Sequence, residues 1–115
     1  LRNDVAEMYF KYLDPTILSY AYLPEGMRPA WAQFSVCAKT GLQRQILMNQ
    51  LTLNKIPTGI YYDKPLHEQV VFKQLFGDKY ASSPFTENLC GRIFSLPMHP
   101  YLTEKEIKSI AQCIY

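Results

Sequence analysis

An α+β fold, a small sheet covered by helices mainly on one face, is predicted by three features of the sequence. Ala32, Phe34, Val36 and Ala38 alternate with Gln33, Ser35 and Cys37, the period-two pattern of a strand with one buried face. Apolar residues recur every three or four positions near both ends of the chain and again after Thr40, which is the stripe of an amphipathic helix. Between these lies a stretch punctuated by Pro and Gly, Lys55 to Gln69, that mixes β-forming residues with a turn.

Taken in order, Leu1 to Leu13 carries Val5, Tyr9 and Leu13 at four-residue spacing, flanked by Ala6 and Met8, and predicts a helix that Asp14-Pro15 ends. Ile17 to Leu23 reads as a short strand or an ordered loop, with Pro24-Glu25-Gly26 as a turn. Ala30 to Ala38 is the alternating strand and is expected to be central. Thr40-Gly41 opens a covering helix whose predicted buried stripe is Leu42, Ile46, Leu47 and Leu51, with Gln43, Arg44, Gln50 and Asn54 facing water. Ile56 to Tyr62 predicts a short strand, and Val70, Val71, Leu75 and Phe76 a short helix closed by Gly77. Ser82-Ser83-Pro84 starts a further helix in which Phe85, Leu89 and Ile93 recur until Pro97, with Phe94 to Leu96 as a short extended piece. Thr103 and Glu106 have the spacing of a capping box, and Ile107, Ile110 and Ile114 form the inward face of a last helix. The predicted core sets Ile46, Leu51, Phe85, Leu89, Ile107 and Ile110 against Phe34 and Val36. Aromatic side chains on the sheet's uncovered face are expected to form a contact surface for a larger partner.

A chain of 115 residues fits one domain, with 48% hydrophobic and 19% charged residues as in globular proteins. Its formal charge is +2, and its Lys and Arg residues are scattered singly, without the basic stripe that phosphate-backbone recognition requires. No nucleic-acid partner is expected. Cys37, Cys90 and Cys113 are odd in number and share no zinc-like spacing with His67 or His99, so free thiols in a reducing, cytoplasmic setting are expected and no metal ligand is assigned. No apolar run approaches the roughly 20 residues of a membrane span. The chain begins on Leu1 and enters directly on a charged helical pattern, so it is expected to be a piece of a longer protein.

Lys55 to Gln69 is the candidate binding segment. Tyr61 and Tyr62 end the predicted strand, Pro65 forces a turn, and His67 follows at the predicted start of a helix, which gathers phenol hydroxyls and an imidazole at one strand end. The same residues also fit purely structural roles, since strand tyrosines fill half-buried faces and a His at a helix start caps or faces water.

In the residues Ala30-Trp31-Ala32-Gln33-Phe34-Ser35-Val36, Ile56 to Tyr62, Pro65-Leu66-His67-Glu68-Gln69 and Phe94 to Leu102, in that order, the chain resembles the DegT/DnrJ family of PLP-dependent sugar aminotransferases. The resemblance covers nearly the whole chain and is to the C-terminal small domain, residues 1–115, with 1–14 as an interdomain helix. It implies a fold like that domain in aspartate-aminotransferase-type (type I) PLP enzymes, a homodimer, and transfer of an amino group, commonly from glutamate, to a keto sugar carried on a nucleotide. Asp63 stands where the family commonly has Pro, and Phe34-Ser35 replaces a more usual Tyr-Thr.

Carried over by motif, Tyr62 and His67 match a tyrosine and a histidine that face the family's active-site cleft, with Tyr61 beside them. The resemblance implies that these three position the sugar nucleotide or the cofactor rather than move protons. Trp31, Phe34 and His99 are read as structural; Gln33 is placed where it could reach the cleft but is not counted among the binding residues. No lysine lies in a Schiff-base context, so PLP is expected in the full-length protein and not in this piece, which lacks the PLP-binding domain. The other reading is a free-standing binding or regulatory module derived from such a domain.

Overall fold

The computed structural model describes residues 1–79 and 82–115. Helix α1 (Arg2–Tyr12) buries Val5, Ala6 and Tyr9, the stripe its spacing predicts, and Leu13 follows into the core. Strand β1 (Ser19–Tyr20) is the short strand left open for Ile17 to Leu23. Strand β2 (Phe34–Cys37) is central, as expected, in a three-stranded antiparallel sheet whose other edge is β3 (Ile93–Leu96), in the order β1-β2-β3. The register of β2 with β3 pairs Phe34 with Leu96 and Val36 with Phe94. One face therefore carries Phe34, Val36, Phe94 and Leu96, all buried, and the other carries Ser35 and Ser95, whose hydroxyls lie 3.0 Å apart.

Helix α2 (Gly41–Leu53) is capped by Thr40, whose hydroxyl accepts from the Gln43 amide at 3.1 Å. Helix α5 (Glu104–Gln112) carries the predicted capping box: Glu106 N–H donates to the Thr103 hydroxyl, and the Glu106 carboxylate accepts from Thr103 N–H at 2.8 Å. Leu47 and Leu51 from α2, Ile107 and Ile110 from α5, and the α1 stripe meet the sheet in one core. At its centre Tyr9 stacks on Phe34 with ring centroids 4.5 Å apart, and its hydroxyl donates to the Pro97 carbonyl at 2.7 Å. Burial pushes the Tyr9 phenol well above its ordinary pKa.

Helices α3 (Val70–Phe76) and α4 (Pro84–Cys90) are short, and Gly77 closes α3 at φ 60° as predicted. Three expectations are corrected. Ile93 leaves the helical pattern of Phe85 and Leu89, because α4 stops at Cys90 and the chain pairs with β2 instead; only the extended piece Phe94 to Leu96 was legible. Phe85, Ile46 and Leu42 are exposed rather than core, because α4 lies at the periphery and α2 turns Leu47 and Leu51 inward, with Leu89 half-buried. The exposed apolar surface is on helices and loops rather than the sheet: β2 and β3 are buried or half-buried on both faces, while Tyr22, Met27, Tyr101, Leu66, Val70, Val71, Leu75 and Phe85 face solvent. Among the described residues no helix is long and apolar enough to cross a membrane.

Candidate functional site

Helix α2 ends where Asn54 bends back, its side-chain amide donating to the Gln50 carbonyl at 2.8 Å. Lys55 takes φ 60°, Ile56 N–H donates to Leu51 O, and the chain runs extended toward β3. Ile56 and Ile60 are half-buried against the core and anchor this run. The expected strand is reduced to one bridge: Gly59 N–H donates to Ser95 O at 3.2 Å and Ser95 N–H to Gly59 O at 2.7 Å. Pro57 has no N–H with which to extend the ladder.

The bridge forms one wall of a cleft of about 250 Å³ at the end of β3, opposite Ala32 and Gln33, with Pro97 and Met98 completing it. Tyr61 lines it, its ring lying against Gly59. Tyr62 follows, its ring edge-on to Tyr61 at 5.9 Å and mostly exposed, outside the cleft lining.

His67 is in a single 3₁₀ turn, Leu66–Glu68, rather than opening an α-helix, because Gln69 returns to extended backbone before α3 begins. Its Nε2 lies 2.9 Å from Glu87 Oε1, and the same oxygen accepts from Ser83 N–H at 3.2 Å. This joins the turn to the start of α4. His67, Glu68 and Glu87 each bring one metal-ligand-type atom within 4.8 Å of the others, and His67 and Glu87 are themselves hydrogen-bonded together. No hydrogen bond or ring contact joins His67 to Tyr61 or Tyr62 among the described residues, so the structure unites the two tyrosines and sets the histidine on its own anchor.

His99 is exposed, and its Nδ1 accepts from Tyr101 N–H at 3.3 Å, which fits its structural reading. Trp31 is half-buried against Phe10 and Phe34, as expected of a packing residue. Gln33, not counted among the binding residues, and Thr58, not singled out by the sequence, both line the cleft. The signal for Gln33 was present, since it falls on the outward phase of the β2 alternation.

A family-level comparison matches residues 1–115, the whole chain, to the DegT/DnrJ/EryC1/StrS aminotransferase family. The chain belongs to this family. Among curated DegT/DnrJ/EryC1/StrS relatives, it is 30% identical over 113 residues to UDP-N-acetyl-3-dehydro-α-D-glucosamine 3-aminotransferase of Acidithiobacillus ferrooxidans, covering 98% of this chain and 29% of the relative. It is 27% identical over 114 residues to UDP-2-acetamido-2-deoxy-3-oxo-D-glucuronate aminotransferase of Pseudomonas aeruginosa, covering 99% and 30%. A crystal structure of a DegT DnrJ EryC1 StrS aminotransferase from Brucella abortus superposes with a TM-score of 0.82 at 38% identity, covering 98% of this chain and 29% of that one. The chain thus spans about 30% of the length of the relatives it matches. The α+β fold of this family, expected from the motifs, is the fold observed.

Proposed function

We propose that residues 1–115 are the C-terminal small domain of a PLP-dependent aminotransferase acting on a keto nucleotide-sugar, with the amino group drawn from glutamate. One observation carries this: the chain aligns from end to end with relatives named as aminotransferases of UDP-linked keto sugars, while accounting for under a third of their length. In this reading α1 joins the domain to a PLP-binding domain, the whole enzyme is a homodimer, and it works in the cytoplasm, in keeping with three free thiols at Cys37, Cys90 and Cys113.

The cofactor would supply the electron sink for amino transfer, but this chain's residues do not fit it. All of its lysines are exposed, whereas a Schiff-base lysine is desolvated in a pocket. The chain's part is therefore on the substrate side. Tyr61 offers a ring wall and a hydroxyl at the cleft, and Tyr62 a second, exposed phenol beside it. His67 has Nε2 donating to the Glu87 carboxylate, which leaves Nδ1 to accept from a substrate hydroxyl. These groups orient the sugar nucleotide; none is asked to move a proton.

The test is the coding sequence upstream of Leu1. The proposal expects a domain there with a lysine in the family's Schiff-base context, and a start codon immediately before Leu1 would overturn it in favour of a free-standing module.

A further inference from the structure

Resting on the reading of Tyr61 as ligand-facing, we propose that the cleft between Gln33 and Tyr61 is the subsite for an acetamido substituent on the sugar, read by the Gln33 side-chain amide. Its volume of about 250 Å³ falls just below the roughly 300–1,000 Å³ of pockets that enclose a whole ligand, so it takes a part of one. No charged side chain lines it, so a phosphate or carboxylate would lose its hydration there without a partner. A neutral group is therefore favoured.

The polar groups narrow the choice. Gln33 is exposed, and its amide makes no hydrogen bond among the described residues. A primary amide presents a carbonyl acceptor and N–H donors side by side. A secondary amide such as acetamido presents the complementary N–H and C=O, whereas a lone hydroxyl has a single oxygen with which to meet both. Pro97 and Met98, just past β3, supply an apolar seat for the acetyl methyl. Opposite, the flat face of Tyr61 suits a planar amide, and the ring keeps its place because Gly59 has no Cβ: a carbon there would lie 2.8 Å from Tyr61 Cε2.

The experiment titrates the longer protein that joins this chain to its PLP-binding domain, isotope-labelled, with UDP-N-acetylglucosamine and, separately, with UDP-glucose, at millimolar ligand, following amide and aromatic signals by NMR. The acetamido sugar is expected to shift the Gln33 side-chain amide and to bind about three- to tenfold more tightly than UDP-glucose, the worth of one neutral hydrogen bond. Gln33→Ala should abolish that preference; because Gln33 is exposed, the fold is not at stake. Gln33→Glu, which keeps the shape and still accepts from the acetamido N–H but cannot donate to the acetyl carbonyl, should reduce the preference without removing it. Shifts at Tyr61 and Tyr62 without any at Gln33, or equal binding of both sugars, would overturn the acetamido subsite and leave the ligand-facing reading of Tyr61 standing. No shift at Gln33, Tyr61, Tyr62 or His67 with either sugar would overturn both.

Discussion

The ring of Tyr61 lies against the bare α-carbon of Gly59, so close that a side-chain carbon on Gly59 would stand 2.8 Å from Tyr61 Cε2 and from its Oη. The atoms in the way are the far end of a side chain whose residue is 45% exposed, so the ring has somewhere to go. Gly59→Ala is expected to swing Tyr61 out of the cleft while changing stability by less than about 0.5 kcal/mol. Aromatic NMR shifts of Tyr61 and a melting curve check this together; an unmoved ring, or a large loss of stability, would refute it.

The bond from Tyr9 to the Pro97 carbonyl ties α1 to the end of β3 across the core. Tyr9→Phe should cost about 1–3 kcal/mol, because the carbonyl is left without its buried donor. Burial raises the Tyr9 pKa in the folded state above the unfolded value of 10.0. The stability that depends on the neutral phenol is therefore complete below about pH 10 and declines above it, by about 1.4 kcal/mol per pH unit. Urea titrations at several alkaline pH values should show this decline in the parent chain and lose it in Tyr9→Phe; identical profiles would remove Tyr9 as its source.

Core and periphery are separated by a pair of truncations. Leu47 is fully buried, and Leu47→Ala should cost about 2–5 kcal/mol, whereas Phe85, 78% exposed, should lose less than about 0.5 kcal/mol on the same change. Comparable losses in chemical denaturation would place α4 in the core after all.

His67 and Glu87 hold the Leu66–Glu68 turn to the start of α4. Both side chains are partly exposed, so their coupling should be modest, about 0.5–1.5 kcal/mol in a double-mutant cycle of His67→Ala and Glu87→Ala. Strict additivity in thermal or urea unfolding would mean that the pair contributes nothing to anchoring the turn.

Local chemistry made much of this fold legible. The stripe of Val5, Tyr9 and Leu13, the alternation around Phe34, the Thr103–Glu106 box and the Gly77 stop all depend on neighbours within a few residues, and all are observed. What was hidden depends on distant partners. Ile93 continues a helical spacing from Phe85 and Leu89, yet pairing with Cys37 of β2 decides its conformation. Ile56 to Tyr62 has β-forming residues, but pairs with β3 only at Gly59. At the site, Tyr61 and Tyr62 were legible as neighbours, while the Glu87 partner of His67, twenty positions away, was not. Gln33, on the outward phase of the alternation, was legible as able to reach a cleft, but the wall across from it forms only once Pro57 to Tyr61 is folded there.

The central claim, that this chain presents Tyr61 and its neighbours to a sugar nucleotide in an aminotransferase, is tested most directly by single-turnover kinetics. The protein to use is the longer one that joins this chain to its PLP-binding domain, comparing the parent with Tyr61→Ala. The two half-reactions, amino donor to cofactor and cofactor to keto sugar, are followed separately. The account predicts that Tyr61→Ala slows the keto-sugar half-reaction by about tenfold or more and leaves the donor half-reaction within about twofold. Equal slowing of both half-reactions, or of neither, would contradict it.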